Sequence, residues 1–270
     1  MLTYDSLLEQ AKNRGMPPTK IRGILREYLQ VLILKELSKL SGAKKLYFTG
    51  GTYLRLAYNL KRFSEDLDFN LYSVRRLEFE ALLKKVNSGL RKTGIECLTE
   101  FSHWGKSYVA RMVFPEIEKA YSAVSKYSKK EGIMIKVETN LRGFRDMPET
   151  RVISGFGEFY PCVCASVGAL FADKIDALGK KERGRHIYDA MFMLSNNFPV
   201  DIRILKVLGI KEDPLEAIDK RIARFSPEEL KKQAESLRPF LFEENEADLV
   251  VGAREVIPQL LDKYRKAVKN

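Results

Sequence analysis

The chain has 270 residues, enough to bury one large core or two smaller ones, and its 45% hydrophobic and 10% aromatic content excludes an intrinsically disordered protein. The net charge of +11 favours polyanionic partners such as nucleic acid, with a generally solvated basic surface as an equal alternative. No apolar run approaches the roughly 20 residues that span a bilayer, and no signal-peptide pattern is present. Three cysteines without a disulfide framework or a zinc motif complete the prediction of a cytoplasmic protein.

The first forty residues are predicted to be helical. Residues 5–13 and 18–40 carry apolar side chains at helical spacing, and in the second segment these side chains recur on one face. Pro18 suits the first turn of the second helix, and Gly42 follows its end. We expect this helical pair to pack beside a sheet that later residues form.

A strand, a Gly-Gly turn, a helix and an acidic strand follow in that order. Residues 45–49 are predicted as a short strand, 52–59 as a helix, and 66–72 as a strand in which polar and apolar residues alternate. Side chains two apart on a strand point the same way, so Asp66 and Asp68 should share one side of the sheet. The intervening apolar side chains should face the core, and both carboxylates should face the Gly-Gly turn.

This order of elements predicts metal-assisted chemistry on a nucleotide. Paired carboxylates suit a hard divalent cation such as Mg²⁺, which often shares its coordination shell with substrate phosphates. The turn Gly50-Gly51-Thr52 opens a helix, whose first backbone N–H groups can bind a phosphate. A lone Asp-x-Asp is usually a solvated pair and a lone Gly-Gly is usually only a turn. The succession of both motifs is what favours a nucleotide site.

A later strand offers a third carboxylate. Residues 77–90 are predicted as an amphipathic helix, and residues 107–114 and 133–139 as strands. In the last of these, isoleucine and valine side chains occupy one face, and Lys136 and Glu138 occupy the other. Glu138 is therefore a candidate metal ligand beside the acidic pair, with a surface glutamate on an edge strand as the alternative.

The remaining pattern divides the chain into two predicted domains. Residues 154–164 hold short β-like pieces, and from residue 167 onward the pattern is helical, with prolines separating the segments. The predicted fold class is α/β (α+β), with a small mixed β-sheet core and flanking helices in residues 1–165. Residues 166–270 are predicted to form a helical C-terminal domain that packs with the first and shares a cleft with it.

Two sequence blocks resemble a known family. Gly50-Gly51-Thr52 followed by Arg62-Phe-Ser-Glu-Asp-Leu-Asp68 is similar to the Gly-Gly/Ser…Asp-x-Asp signature of the AbiEii/AbiGii-type nucleotidyltransferase toxins, in the DNA polymerase β-like superfamily. Residues 172–178 and 183–189 are similar to that family's Lys-x-x-Ala-Leu…Arg-Asp-x-Tyr-Asp segment. His186 stands where the family often has Asp. The resemblance implies that the first domain is a nucleotidyltransferase catalytic domain.

The resemblance also implies roles for individual residues. Mg²⁺, as one or two ions, would be held by Asp66 and Asp68 with Glu138 as the third ligand, and a nucleoside triphosphate would be the co-substrate. The phosphates would lie on the turn Gly50-Gly51-Thr52. Catalytic roles would extend to the second domain. The residues implied there are Lys174 and Arg185, which would bind the triphosphate, and Asp189, which would orient one of them or contact the base or acceptor.

Three further residues near the first block have two interpretations each. Arg55 and Arg62 are candidates for phosphate contact, with an ion pair to Glu65 as the equal alternative. Ser64 is a candidate for nucleotide contact, with the cap of a turn as the alternative. None of these assignments follows from spacing alone.

The acceptor is expected to be an RNA, and the family resemblance implies a tRNA 3′ end together with a cognate antitoxin protein. The basic segments 126–130 and 180–185 are candidates for contact with RNA or nucleotide phosphates. A protein hydroxyl is an alternative acceptor for the same site. A non-catalytic RNA-binding or partner-binding module on a transferase fold is the opposing hypothesis.

Overall fold

The computed structural model describes residues 1–121, 132–142, 147–180 and 183–268, so the basic segment 126–130 lies outside the described residues. The chain divides into two compact units, Met1–Ala165 and Ser166–Asn270. Among the described residues, no helix combines the length and the apolar character that crossing a membrane requires.

A mixed sheet organises the first unit, and within the described residues it has seven strands in the order β3-β4-β5-β2-β1-β7-β6. The strands are β1 Leu46–Thr49, β2 Leu67–Leu71, β3 Leu98–Trp104, β4 Ser107–Phe114, β5 Ile133–Leu141, β6 Pro148–Gly155 and β7 Glu158–Ala165. The pairs β2–β5 and β1–β7 are parallel, and the other neighbouring strands are antiparallel. The predicted mixed α/β fold is confirmed.

Helices of the first unit cover the apolar side of this sheet. They are α1 Tyr4–Asn13, α2 Ile21–Ser38, α3 Gly50–Tyr58, α4 Arg76–Lys92 and the single turn α5 Ile117–Ala120. Helix α2 packs against β5, β6 and β7, whereas α4 packs against β3 and β4. Helix α3 lies against β1, β2 and β6. The predicted second helix begins later than expected, since Pro18–Lys20 forms a 3₁₀ turn before α2.

Strand β5 shows the division of the sheet into an apolar and a polar face. Ile133, Ile135 and Val137 are fully buried, in agreement with the predicted alternation, and Lys136 and Glu138 on the opposite face are only half-buried. Burial of the first face stabilises the sheet, at roughly 25 cal/mol per Å² of apolar surface removed from water. The second face is left for polar side chains.

Strand β3 was not predicted from the sequence. Its residues, Leu98–Trp104, alternate only between exposed and half-buried positions, because the strand lies at the edge of the sheet. Such a strand lacks the strong apolar alternation on which sequence reading depends. Its existence is decided by its antiparallel pairing with β4.

The second unit is helical in its described residues, as the sequence predicted. Its helices are α6 Val167–Lys180, α7 Gly184–Ser195, α8 Ile202–Val207, α9 Pro214–Ile222, α10 Pro227–Leu237, α11 Asp248–Val251 and α12 Ala253–Val268. Ser226 caps α10 in a reciprocal pair with Glu229, which satisfies backbone N–H groups at that end. Pro258 does not separate two segments as expected; it lies in the second turn of α12, where it removes one backbone hydrogen bond without ending the helix.

Candidate active site

A Gly-Gly turn joins β1 to α3 and brings backbone close to a carboxylate. Gly50 has φ +81°, and a Cβ placed on it would lie 2.3 Å from Asp68 Oδ2. A Cβ on Gly51 would lie 2.5 Å from Arg62 Nη2 and 3.0 Å from Ser64 Oγ. Gly50 therefore requires glycine for both space and backbone conformation, whereas a side chain at Gly51 would displace the Arg62 guanidinium. The first N–H groups of α3, which have no partner within the helix, lie at this turn.

Three carboxylates, those of Asp66, Asp68 and Glu138, lie on the polar face of the sheet. Asp68 is opposite Thr49 of β1 on one side and opposite Glu138 of β5 on the other. Asp66 immediately precedes β2, and its carbonyl oxygen accepts a hydrogen bond from the Thr52 hydroxyl of α3. All three acidic side chains are half-buried. The turn and the acidic strand thus meet in one place.

Lys136 contributes a positive charge to this acidic group. Its ammonium donates a hydrogen bond to Glu138 Oε2 and lies 3.7 Å from Asp66 Oδ2. Burial alone would lower the pKa of Lys136. The hydrogen bond to Glu138 and the charges of Asp66, Glu138 and Asp68 outweigh burial and raise that pKa above its usual value. Lys136 is therefore a cation at neutral pH and partly neutralises the carboxylates.

The carboxylates do not by themselves form a closed metal cage. Among the described residues, no three His, Cys, Asp or Glu side chains lie close enough to hold a metal ion between them. Mg²⁺ typically binds proteins through one or two carboxylates and takes its other ligands from water and substrate phosphates. Oxygen ligands on the Asp66–Asp68 pair fit that pattern, because the phosphate-binding turn lies directly beside Asp68.

The Thr49 hydroxyl is a second polar group directed to this place. Thr49 is opposite Asp68 in the β1–β2 ladder, so both side chains lie on the same face of the sheet. The residue is 5% exposed, and among the described residues its Oγ1 has no hydrogen-bond partner. A buried hydroxyl without a partner is costly in a folded protein, so a ligand that bonds to it would be stabilised there.

The two arginines of the first block have structural partners. Arg55 is fully buried, and its Nε donates to Glu27 Oε2 at 2.9 Å while Nη1 donates to the Leu60 carbonyl. The expectation that Arg55 approaches a phosphate is therefore wrong, because its guanidinium is enclosed between α2 and α3. Arg62 is also buried, and its Nη1 donates to the Phe63 carbonyl at 3.0 Å.

The segment between α3 and β2 is held against α2. Glu65 pairs with Arg26 at 3.1 Å rather than with either arginine of the first block. The Ser64 carbonyl accepts from Gln30 Nε2 at 3.0 Å, and the Ser64 hydroxyl lies against Gly51. Ser64 thus lies beside the turn, and its role as a nucleotide contact or as the cap of a turn stays a prediction.

The second block forms a buried ion pair within the second unit. Lys174 on α6 donates to Asp189 Oδ2 on α7 at 2.6 Å, and their side chains are 9% and 0% exposed. Arg185, also on α7, is half-buried. Close helix packing explains Gly184, since a Cβ there would lie 2.4 Å from the Gln233 carbonyl oxygen. Lys174 is thereby fixed in one orientation by Asp189.

Sequence reasoning did not assign roles to Lys136, Thr49 or Glu27. The position of Lys136 was visible, because it lies two residues before Glu138 on the same face of a strand. Thr49 and Glu27 gave no signal, since their significance depends on burial and on the partners that tertiary contacts bring near them.

Comparisons with known proteins agree with this arrangement. The family model described as "Nucleotidyl transferase AbiEii toxin, Type IV TA system" matches residues 32–266. No curated protein matches the chain at the sequence level.

Solved structures share the fold at low sequence identity. A putative nucleotidyltransferase from H. pylori is 18% identical with a TM-score of 0.57, and the match covers 90% of this chain and 96% of that one. JHP933 from Helicobacter pylori is 19% identical with a TM-score of 0.52, over 92% and 95% of the two chains. MenT4, a nucleotidyltransferase toxin from Mycobacterium tuberculosis H37Rv, is 17% identical with a TM-score of 0.58, over 98% and 93%. The family model matches most of the length of this chain. The chain therefore belongs to the AbiEii family of nucleotidyltransferase toxins of type IV toxin–antitoxin systems.

Proposed function

We propose that the chain transfers a nucleoside monophosphate from a nucleoside triphosphate to an acceptor hydroxyl beside the Gly50-Gly51 turn. The observation that carries the proposal is the contact between this turn and Asp68, where even a methyl group on Gly50 would overlap the carboxylate. Phosphoryl transfer needs positioning and charge stabilisation more than covalent chemistry from the protein. A turn for phosphates beside carboxylates for a cation supplies both.

In this proposal the triphosphate lies at the start of α3. The backbone N–H groups of Gly50, Gly51 and Thr52 would donate to phosphate oxygens, with further stabilisation from the positive end of the helix dipole. The Thr49 hydroxyl, buried and without a hydrogen-bond partner among the described residues, is available to donate to the same group. Thr52 itself keeps its hydroxyl on the Asp66 carbonyl, which fixes the distance between the turn and the carboxylates.

Asp66 and Asp68 are proposed to hold Mg²⁺, with Glu138 as the third ligand. Enzymes of this kind use a nucleoside triphosphate and divalent metal ions. When bound, such an ion would lower the pKa of the acceptor hydroxyl and stabilise charge on the leaving pyrophosphate. Glu138 can join the set only when it exchanges the Lys136 ammonium for the metal ion, because that ammonium now lies between Glu138 and Asp66.

For the second unit we propose that Lys174 and Arg185 bind the triphosphate or its developing charge, and that Asp189 orients Lys174. The buried hydrogen bond between Lys174 and Asp189 supports the positioning role, since it holds the ammonium in one direction. A purely structural ion pair is the competing interpretation, and it is separable by the double variant described in the Discussion.

We propose an RNA acceptor, specifically a tRNA 3′ end, in a cytoplasmic setting. The net charge of +11 supports a polyanionic partner, since Lys and Arg attract the phosphate backbone without regard to sequence. Membership of a type IV toxin–antitoxin family implies an antitoxin protein that controls the activity.

The direct test is transfer of label. The full chain is incubated with Mg²⁺, total tRNA and each nucleoside triphosphate labelled at its α-phosphate, beside the Asp66→Ala/Asp68→Ala variant. The matched control is Glu116→Ala, because the Glu116 side chain is 59% exposed and lies directly before α5. We expect label on RNA with wild type and Glu116→Ala but not with the double variant.

Two outcomes would contradict parts of this proposal. Label on protein rather than RNA would retain the transfer chemistry and overturn the acceptor. No label with any of the four nucleotides, together with RNA binding that survives loss of both carboxylates, would favour the non-catalytic module.

A further inference from the structure

The turn between β3 and β4 displays an indole group to solvent. Trp104 is 87% exposed, the highest value for a large apolar side chain among the described residues. It is the last residue of β3 and is opposite Ser107, so the loop contains only Gly105 and Lys106. Gly105 has φ +53°, which suits the first position of a type II′ hairpin turn. A tight turn thus holds the indole at a defined place outside the core.

One backbone hydrogen bond joins the hairpin turn to the end of β5, and a second joins the residue after β5 to the end of β2. Leu141 N donates to the Lys106 carbonyl at 3.0 Å, and Arg142 N donates to the Leu71 carbonyl at 2.9 Å. The β3–β4 turn therefore lies at the edge where β2 and β5 end. Tyr72, directly after β2, is 44% exposed at this edge.

Two exposed cationic side chains lie in the segments that carry these aromatic groups. Lys106 is exposed in the turn itself, and the Arg75 side chain, three residues after Tyr72, is 85% exposed. His103 precedes Trp104 on β3, so its side chain points to the opposite face of the sheet, where Arg76 Nη1 of α4 lies 3.4 Å from its Nδ1. We call the first group the hairpin patch; it consists of Tyr72, Arg75, Trp104 and Lys106.

The acidic neighbour of the hairpin patch does not cancel its charge. Arg75 pairs with Glu78 at 3.5 Å, and their side chains are 85% and 41% exposed. Ion pairs between exposed side chains contribute little in water, roughly 0–1 kcal/mol. The Arg75 guanidinium can therefore exchange its carboxylate for a phosphate group at small cost.

The indole lies on the same face of the sheet as the candidate active site. Trp104 is opposite Ser107, and Ser107 is opposite Asn140, which follows Glu138 by two residues on β5. Residues directly opposite share a face, as do residues two apart on one strand. Two strand spacings and two residues of rise separate Trp104 from Glu138, a distance of about 12 Å between backbones.

We propose that the hairpin patch binds single-stranded RNA, with a base stacked on Trp104 and a phosphate on Lys106, and that it guides the acceptor strand toward the carboxylates. Proteins that bind single strands combine stacking aromatic groups with a positive track for the backbone. An exposed indole with a lysine in the same tight turn meets that requirement, whereas an apolar groove for a protein segment would need apolar neighbours. This inference rests on the RNA acceptor of the proposed function.

The sequence provides a direct reporter, because Trp104 is the only tryptophan of the chain. We would titrate the full chain with a short single-stranded RNA, without nucleotide or metal, and record the tryptophan emission. We expect saturable quenching that is much weaker with a duplex of the same sequence. Polyglutamate provides a polyanion without bases, and we expect it to leave the emission nearly unchanged.

Variants separate stacking from general charge attraction. With RNA binding measured by anisotropy of labelled RNA, Trp104→Ala should weaken affinity by about tenfold, and Trp104→Tyr should retain most of it. Lys106→Ala should weaken binding and reduce its salt dependence. Phe159→Ala is the matched control, since Phe159 is 76% exposed on β7 and does not belong to the hairpin patch.

The inference is overturned if RNA leaves the emission unchanged, if polyglutamate quenches equally, or if Trp104→Ala weakens binding no more than Phe159→Ala. If wild type nevertheless labels RNA in the transfer assay, the hairpin patch is rejected and the proposed function stands. If RNA quenches Trp104 with the expected variant effects but receives no label, the binding surface stands and the RNA acceptor is rejected.

Discussion

Two glycines with the same backbone conformation allow the contact at the carboxylate to be tested. Gly50 and Gly94 both have φ +81°, so alanine at either position adopts a left-handed conformation. A Cβ on Gly94 meets no atom within 4 Å, whereas a Cβ on Gly50 lies 2.3 Å from Asp68 Oδ2 and 2.9 Å from Asp68 Cβ. Gly94→Ala therefore isolates the conformational cost, and Gly50→Ala adds the displacement of Asp68.

The expected magnitudes follow from these contacts. Left-handed backbone costs a residue with a Cβ about 1–2 kcal/mol, which both variants share. Inserting a methyl group into a filled space costs about 1–3 kcal/mol more, so Gly50→Ala should lose about 2–5 kcal/mol of unfolding free energy. A displacement of about 1 Å in a positioned group can reduce rate by about a hundredfold. We therefore expect nucleotide transfer to be about a hundredfold slower in Gly50→Ala and near normal in Gly94→Ala.

Urea unfolding measures the free energies, and transfer of α-phosphate label onto RNA measures the rates. The transfer assay is run where circular dichroism shows both variants fully folded. If Gly50→Ala transfers nucleotide as fast as Gly94→Ala, the close contact does not position Asp68 for the reaction, and the argument from this turn fails.

Three further variants test charge and burial. Lys136→Met should tighten Mn²⁺ binding in the absence of nucleotide by about tenfold, because it removes a cation beside the carboxylates. The control Lys39→Met breaks another lysine–glutamate pair and should leave Mn²⁺ affinity unchanged. Equal Mn²⁺ affinities of the two variants in titration calorimetry would refute this prediction. Lys174→Met should lower the unfolding free energy by about 3–5 kcal/mol because it removes the ammonium that pairs with the buried Asp189 carboxylate. Adding Asp189→Leu should restore stability but not transfer, and restored transfer would make the pair purely structural. Burial raises the pKa of the Cys97 thiol to about 11 from about 9, so the unfolding free energy is unaffected by this thiol below pH 9 and falls by up to about 3 kcal/mol as the pH rises to 11. Cys97→Ala should flatten the dependence of urea unfolding on pH in this range, and an unchanged dependence would contradict the argument.

The local signals of the sequence were sufficient for the strand and helix order around the site. Asp66 and Asp68 are two positions apart, so their common side followed from strand periodicity alone. The Gly-Gly turn at the start of α3 was predictable because glycine is needed where φ is positive and backbone approaches another group. The alternation of apolar and polar residues in β5 is sufficient to predict Glu138 on the polar face.

Other features depended on contacts between distant parts of the chain. Arg55 occupies a motif position that favoured phosphate binding, yet the buried Glu27, far away in sequence, determines where its guanidinium points. Strand β3 exists because β4 pairs with it, and its own residues alternate too weakly to predict it. The sequence contains these residues but does not show which of them are in contact.

The sequence by itself determined the family, the mixed sheet with a helical second part, and the residue types at the turn and acidic strand, because periodicity and motif order are local properties. Only the tertiary structure decided that Asp68 is opposite Glu138, that Lys136 neutralises them, and that Trp104 lies on the same face. Strand order and register are set by burial and backbone pairing over the whole sheet, and no local stretch of sequence contains all of these interactions.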